Sequence, residues 1–281
     1  MNPATIAPAQ DAPEAGVTVD AGEGPLLISW PHTGTTIPVE VGRQLVSTDA
    51  ALKDTDWYVE RLYGFVGQFQ ATVVRTTVSR VVIDVNRDPA GHSLYPGMAT
   101  TGLCPTTTFD GEPLYKNGRV PDELEIGNRR KSYFDPYHEA IATEIARLRS
   151  HHDHVLLYDC HSIRSAIPRL FDGVLPILNI GTNDGASCSH RIQSQIVEIC
   201  KRSEFNSVLN GRFKGGWITR KYGCPREGVH AVQIEIAQRS YMEEGLAPQY
   251  EDEKAQAMGK FLRVLIRGIL DSVESLSEES S

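Results

Sequence analysis

The chain has 281 residues, of which 40% are hydrophobic and 23% charged, a composition that suits a globular protein with one large core or two closely packed ones. Its formal net charge of −8 argues against general nucleic-acid binding, because contacts to phosphates need an excess of basic surface. The longest apolar runs are far shorter than the roughly 20 residues of a membrane span, so we expect no membrane partner.

The two ends of the chain are predicted to lie outside a single catalytic domain. Residues 1–24 are rich in Ala, Pro, Gly and acidic residues, with neither a basic start nor an apolar block, which predicts a disordered tail and not a secretory signal. Residues 25–275 are predicted to form one domain, followed by a polar tail at 276–281. Five irregularly spaced cysteines favour reduced thiols in the cytoplasm over a disulfide framework.

In the first half of the chain, apolar runs alternate with stretches of helical spacing. The runs predict three strands, at residues 26–30, 71–75 and 78–85. The helical spacing predicts two helices, at residues 54–69 and 129–149. Residues 90–122 are dense in Gly, Pro and Thr, which predicts a long ordered loop over an active site.

The second half of the chain continues the alternation. Apolar runs predict strands at residues 155–158 and 231–236, and helical spacing predicts helices at 189–202 and 253–275. Residues 163–183 are predicted to form a second long loop, and residues 213–228 a Gly-rich connection. Strands that alternate with helices over this length predict an α/β fold with a mixed sheet and helices on both faces.

Three polar side chains lie at the end of a predicted strand or inside one. His32 and His161 each follow a short apolar run, and Glu235 lies within one. Strand ends in open α/β sheets converge on one crevice, where two imidazoles, a carboxylate and a water can form a zinc-type catalytic site. A single histidine beside a strand is more often a hydrogen-bonded structural residue, but the two histidines together favour a metal site.

Two carboxylates are candidates for the third metal ligand. Asp54 and Asp56 both lie near a predicted helix start, where a carboxylate can point into the crevice or simply cap the helix. We rank Asp56 first. Glu235 has apolar neighbours, so its burial would need a compensating partner. A catalytic base and a structural ion pair with an arginine explain Glu235 equally well.

Several basic side chains accompany these motifs. Guanidinium groups bind carboxylates through paired hydrogen bonds, so two of them can hold a substrate with two carboxylates. Taken singly, each is more often a surface or structural residue. The candidates are Arg80, Arg87, Arg164, Arg169, Arg212, Lys214 and Arg220.

Seven short motifs, considered together, resemble the N-formylglutamate amidohydrolase family. They span most of the chain from about Leu26 to Met242, and their combination is specific although each motif alone is not. The motifs are Ser29–Gly34, Asp54–Trp57, Ser79–Arg87, Gly102–Thr106, Asp159–Ser165, Asn210–Gly216 and Gln233–Glu235.

The resemblance implies a zinc carboxypeptidase-like α/β/α fold and one divalent metal ion, with zinc as the first choice and cobalt or another divalent ion as alternatives. His32 and His161 would be ligands. The related proteins usually carry His-x-x-Glu at the first ligand, whereas Thr35 stands at the glutamate position here. The resemblance therefore requires a more distant third ligand, for which Asp56 ranks ahead of Asp54.

The resemblance also implies roles for the remaining candidates. Glu235 would be the general base, and Arg87 would hold substrate or polarise the scissile carbonyl. The expected substrate-binding residues are Arg80, Arg164, Arg212 and Lys214.

The implied reaction is hydrolysis of N-formyl-L-glutamate, a small acidic molecule, to formate and L-glutamate during histidine degradation. Two alternatives stay open at this point. One is a related metal-dependent amidohydrolase that acts on another N-acyl amino acid. The other is a non-catalytic protein that binds acidic amino acids. The oligomeric state is not predicted.

Overall fold

A computed structural model describes residues 16–245 and 247–279, and a seven-stranded mixed sheet forms its centre. The strand order is β1-β3-β2-β4-β7-β5-β6. Strands β3, β2, β4 and β7 run parallel to one another, whereas β1 is antiparallel to β3 and β5 is antiparallel to β7. The strands are β1 (Val17–Asp20), β2 (Leu26–Trp30), β3 (Thr72–Thr76), β4 (Val155–Ile163), β5 (Leu178–Gly181), β6 (Ser207–Leu209) and β7 (Val229–Ala237), with a separate pair β8 (Met242–Glu243) and β9 (Gln249–Tyr250).

Helices cover both faces of this sheet, which confirms the predicted α/β class. Those in the described part of the chain are α1 (Val39–Gly42), α2 (Thr48–Ala51), α3 (Val59–Leu62), α4 (Glu123–Arg129), α5 (Asp135–Arg149), α6 (His190–Lys201), α7 (Trp217–Tyr222) and α8 (Asp252–Glu279). Helix α5 buries Tyr137 and Ile141 in one apolar cluster, and α6 and α8 bury Ile196 and Leu265 in the cluster on the opposite face. None of these helices is both long and apolar enough to cross a membrane.

The central strands follow directly from the apolar runs that predicted them. Every residue of β2, β4 and β7 is buried, as is typical of parallel strands that are covered on both faces. Strand β4 continues past the predicted end at residue 158 as far as Ile163, so His161 lies within the strand and not in a following loop. The predicted helices at residues 189–202 and 253–275 are confirmed as α6 and α8.

Two of the predicted elements are wrong. Residues 78–85 form turns and not a strand. Their apolar side chains are buried in three different clusters and so do not share one face of a sheet. Residues 54–69 do not form one helix but α3 and a separate 3-10 turn, Val66–Phe69. Tyr58 has a left-handed backbone (φ 60°), through which an α-helix cannot run.

Three other predicted segments contain more regular structure than expected. The predicted loop at residues 163–183 includes β5, and the Gly-rich connection at 213–228 includes α7. The helix predicted at residues 129–149 begins earlier, as α4, and reaches α5 through a π-helical turn, Arg130–Phe134.

Both predicted tails include ordered residues. Val17–Asp20, inside the predicted tail 1–24, form edge strand β1 because their backbone groups pair with β3, with Val17 opposite Thr76. Helix α8 extends the ordered chain through the predicted tail at 276–281 as far as Glu279. Residues 1–15 and 280–281 lie outside the described part. All five cysteines lie inside it and carry free thiols.

His230, inside β7, is expected to make folding stability depend on pH. Burial, His154 and Arg149 lower its pKa from 6.5 to about 4, and its Nδ1 accepts a hydrogen bond from the Ser189 N–H. Below pH 6.5 the unfolded chain therefore binds a proton at His230 that the folded chain does not bind. This contribution to the free energy of unfolding is lost as pH falls from 6.5 towards 4. The slope is up to about 1.4 kcal/mol per pH unit.

Urea unfolding at several pH values measures this effect. We expect His230→Gln to flatten the dependence of the unfolding free energy on pH between 4 and 6.5. His151→Gln, at an exposed position, is the matched control and should leave the dependence as in the unchanged protein. Equal slopes in all three proteins would rule out His230 as the cause.

Candidate active site

Three side chains of the predicted metal site meet at the carboxyl ends of β2 and β4. Because these strands are parallel neighbours, His32 and His161 lie together, with ring centroids 4.8 Å apart. Asp56 reaches them from the loop before α3. Its N–H donates to the His32 carbonyl (3.1 Å), and its Oδ2 accepts from the N–H of Ser162 (3.0 Å). The backbone therefore ties Asp56 to both histidines.

The donor atoms of these three residues can hold a metal ion. His161 Nδ1 lies 3.2 Å and His32 Nδ1 3.8 Å from Asp56 Oδ2, and one ligand atom from each residue lies within 4.8 Å of the others. All three side chains are buried, yet His32 Nδ1 and Asp56 Oδ1 have no hydrogen-bond partner. Buried polar atoms without partners are costly, and a divalent ion between them would remove that cost. The residues present thus fit a metal site.

Asp54, the other candidate for the third ligand, has a different role. Its Oδ2 accepts from the N–H of Phe109 (2.6 Å), and its Oδ1 accepts from Arg164 (2.9 Å). Both carboxylate oxygens are thus occupied in holding the loop around Phe109. The geometry places Asp56, and not Asp54, with His32 and His161, and these three residues are called the His–Asp–His group below.

Two further aspartates orient the histidines from behind. His32 Nε2–H donates to Asp84 (2.7 Å), and His161 Nε2–H donates to Asp159 (3.0 Å). A carboxylate on the far nitrogen is the usual outer partner of a metal-binding imidazole, and here it turns each Nδ1 towards Asp56. Sequence reasoning did not single out either aspartate as a site residue. The available signal was their place in two of the family motifs, Ser79–Arg87 and Asp159–Ser165.

The surrounding charges set the protonation of this group. Burial and Arg80 lower the pKa of His32 to about 4, so this imidazole is neutral at pH 7. Burial opposes the charge on His161, but Asp159 and Asp56 outweigh it and raise its pKa well above the usual range. Without a metal, His161 therefore keeps a proton on each nitrogen between two carboxylates. A divalent ion at Nδ1 would take the place of one proton.

Glu235 lies beside this group on the neighbouring strand. The parallel pairing of β4 and β7 puts Glu235 directly opposite His161, and only 7% of the Glu235 residue is exposed. Burial raises the pKa of Glu235 to about 7, against the opposing charge of His161. Its carboxylate accepts a hydrogen bond from Gln233 (3.4 Å) and forms no salt bridge within residues 16–245 and 247–279. A carboxyl group with a pKa near neutrality suits a general base better than an ion pair.

Three of the predicted arginines line a cavity in front of the His–Asp–His group. Arg80 is held by Asp84 (2.7 Å), and Arg87 donates to the Thr101 carbonyl (3.0 Å). Half-buried Arg212 donates only to backbone carbonyls, and burial lowers its pKa. It has no carboxylate partner in the described chain. Of the three, Arg212 is thus the guanidinium group most available to an anion, since Arg80 pairs with Asp84 and, at 3.6 Å, with Asp56.

The other two predicted substrate-binding residues lie outside this cavity. Arg164 pairs with Asp54 and Asp110, both at 2.9 Å, and holds the loop that carries Asp110. Lys214 pairs with Asp184 (3.1 Å) on the surface, where the Lys214 side chain is 42% exposed. Their positive charges are directed to carboxylates of the protein itself, so the expectation that they bind substrate is not supported by their positions.

The fold and the buried His–Asp–His group define an α/β protein with a site suited to a divalent ion. The profile of a family described as "N-formylglutamate amidohydrolase" matches residues 24–242. The chain therefore belongs to the N-formylglutamate amidohydrolase family, as its motifs indicated.

Individual relatives agree with this assignment. The chain is 46% identical over 250 residues to an N-formylglutamate deformylase of Pseudomonas aeruginosa, covering 89% of this chain and 94% of that one. It is 45% identical over 254 residues to an N-formylglutamate deformylase of Pseudomonas putida, covering 89% and 93%. The crystal structure of N-formylglutamate amidohydrolase from Ralstonia eutropha superposes with a TM-score of 0.77 at 26% identity, covering 95% of this chain and all of that one.

Proposed function

We propose that the protein is a cytoplasmic, metal-dependent amidohydrolase that converts N-formyl-L-glutamate and water into formate and L-glutamate, as a step of histidine degradation, with residues 25–275 as one catalytic domain. The observation that carries the proposal is the position of Glu235 directly opposite His161, beside the buried His–Asp–His group. The substrate is proposed from the family and from the names of the Pseudomonas relatives.

His32, Asp56 and His161 would hold the ion, for which zinc is our first choice because two imidazoles and one carboxylate are a common zinc ligand set. When bound, a divalent ion supplies Lewis-acid chemistry: it polarises an amide carbonyl and makes water more acidic. Glu235 accepts the proton of the attacking water at its carboxylate. It then returns this proton to the nitrogen of the leaving glutamate, so the C–N bond breaks to give a neutral amine.

The arginines of the cavity provide the charge that a dicarboxylate requires. Arg212 has no carboxylate partner among the described residues, and Arg87 has only a distant one, Asp84, at 3.6 Å. These two guanidinium groups are proposed to bind the two carboxylates of the substrate. Arg80, fixed by Asp84 and lying over the Phe109 ring, faces the same cavity and is proposed to stabilise negative charge that develops on the carbonyl oxygen.

Arg212→Met is expected to raise the KM for N-formyl-L-glutamate by about 10- to 100-fold, because a charge-assisted hydrogen bond contributes about 1.5–3 kcal/mol. The matched control is Lys214→Met, which removes a positive charge two residues away but outside the cavity. We expect it to change KM less than about twofold. Steady-state kinetics on both variants measure the difference. Equal effects would contradict the role of Arg212.

Formate release by the purified protein tests the function as a whole. We expect turnover of N-formyl-L-glutamate that chelation abolishes and zinc restores. N-acetyl-L-glutamate, assayed in parallel, distinguishes a deformylase from an amidohydrolase for another N-acyl amino acid. A folded, metal-loaded protein that releases no formate would disprove the substrate assignment. Turnover that survives complete metal removal would disprove metal dependence.

A further inference from the structure

Behind His161, a chain of buried hydroxyl groups ends on Asp159. Ser29 Oγ donates to Asp159 Oδ1 over 2.8 Å, and the Tyr137 hydroxyl lies 2.9 Å from Ser29 Oγ. Because Ser29 uses its one proton for Asp159, the phenol must be the donor in the contact between Tyr137 and Ser29. The side chains of Ser29, Tyr137 and Asp159 are all 0% exposed, so water does not compete for these hydrogen bonds.

Asp159 and Asn86 fix the orientation of the His161 ring from its far side. The side-chain amide nitrogen of Asn86 lies 2.9 Å from His161 Nε2, and Asp159 Oδ2 lies 3.0 Å from the same nitrogen, so both side chains contact this edge of the ring. The amide of Asn86 donates to the same oxygen (3.2 Å), and its orientation is fixed because Ile218 N–H donates to Asn86 Oδ1 (2.8 Å). The opposite edge of the ring therefore faces Asp56, whose Oδ2 lies 3.2 Å from Nδ1.

Regular secondary structure delivers both hydroxyl groups to this position. Ser29 on β2 is the cross-strand neighbour of Asp159 on β4. Tyr137 lies in the first turn of α5, directly after the π-helical turn Arg130–Phe134. Single π-helical turns occur often at functional sites, because they change the side chains that the following helix presents to its neighbours. The helix thereby contributes to a site on the sheet that it covers.

We propose that Ser29 and Tyr137 are positioning residues of the candidate metal site, which act through Asp159 to hold the His161 ring in the orientation that binds a divalent ion. The inference rests on the proposed function of the His–Asp–His group. Loss of the Ser29 hydroxyl removes one donor from Asp159, and loss of the Tyr137 hydroxyl leaves Ser29 less firmly held, so in either case the carboxylate of Asp159 is freer to turn. The His161 ring is then less firmly oriented, and divalent-ion affinity falls.

The test measures zinc affinity directly, by competition with a chromophoric chelator on metal-stripped, full-length protein. Ser29→Ala and Tyr137→Phe each remove one hydroxyl, and Asp159→Asn serves as the reference for loss of the carboxylate charge. The matched control is Tyr222→Phe. The Tyr222 hydroxyl donates to the carbonyl of His138, which lies next to Tyr137 on α5, and not to Ser29. Thermal melting of every variant reports folding separately from affinity.

We expect Ser29→Ala to weaken zinc binding by about 10-fold or more, Tyr137→Phe by several-fold and Asp159→Asn by up to about 100-fold, in the range found for outer partners of metal ligands. Tyr222→Phe should stay within twofold of the unchanged protein. Unchanged zinc affinity in Ser29→Ala and Tyr137→Phe, or an equal loss in Tyr222→Phe, would overturn the inference. If the unchanged protein binds no zinc, the proposed metal site itself is wrong, which is a distinct result.

Discussion

Glu235→Gln is expected to lower kcat for N-formyl-L-glutamate by about 10³-fold or more, within the range of about 10²–10⁴ for a general acid–base group, while leaving zinc content unchanged. Glutamine keeps the volume of the side chain but cannot accept and return a proton. Zinc should remain because Glu235 is not part of the His–Asp–His group. Formate release and metal analysis on the same preparation measure both quantities.

The matched control is Glu227→Gln, at an exposed position just before the same strand. Its kcat should equal that of the unchanged protein. A Glu235→Gln protein that loses zinc would show that Glu235 helps to hold the ion. One that retains zinc and full kcat would show that another group carries the proton.

Asp56→Asn is expected to weaken zinc binding by more than about 100-fold, and turnover should be lost together with the ion. This loss exceeds the roughly 10- to 100-fold effect that is usual for a residue that only hydrogen-bonds to a metal ligand. The carboxylate supplies the negative charge of the His–Asp–His group, and His32 Nδ1 and Asp56 Oδ1 are the two buried atoms of the group without hydrogen-bond partners. Zinc affinity is measured by chelator competition, and folding by circular dichroism.

Asp54→Asn is the matched control, because it makes the same chemical change two residues away. Asp54 accepts hydrogen bonds from Phe109 and Arg164, so its loss should lower thermal stability and leave zinc affinity within a few-fold. The reverse pattern, with zinc lost in Asp54→Asn and kept in Asp56→Asn, would assign the third ligand to Asp54.

The parallel strands were the most predictable part of the fold. The runs around Leu26 and Ala231 are mostly apolar and are buried at every residue, because both faces of these strands are covered. The run at residues 78–85 looked the same but forms turns. Its side chains pack into separate apolar clusters, so its apolar composition reflects burial and does not indicate a strand. Local sequence cannot separate these cases, because only the complete fold decides which surfaces surround a segment.

The site could be predicted only where a residue type limits the possible roles. Two histidines at strand ends suggested a metal. Arg164 and Lys214 looked equivalent to Arg212, yet the first two meet carboxylates of the protein, and such partners arise from distant contacts, as between Arg164 and Asp54, which lie 110 residues apart. Asp159 was missed for the same reason: its value lies in bonds to Ser29 and His161 that only the folded chain creates.

The pairing of β4 with β7 has a consequence for how such an enzyme can change. Neighbouring strands lie about 4.8 Å apart, so one ladder of backbone hydrogen bonds fixes the distance between the proposed base, Glu235, and His161. Arg212, by contrast, projects from the loop after β6 and is held by carbonyls of other loops. With the roles proposed for Glu235 and Arg212, bond cleavage would depend on the rigid sheet and selection of the acid on the loops. Substitutions in those loops can redirect the catalyst to a different N-acyl amino acid while its chemistry persists.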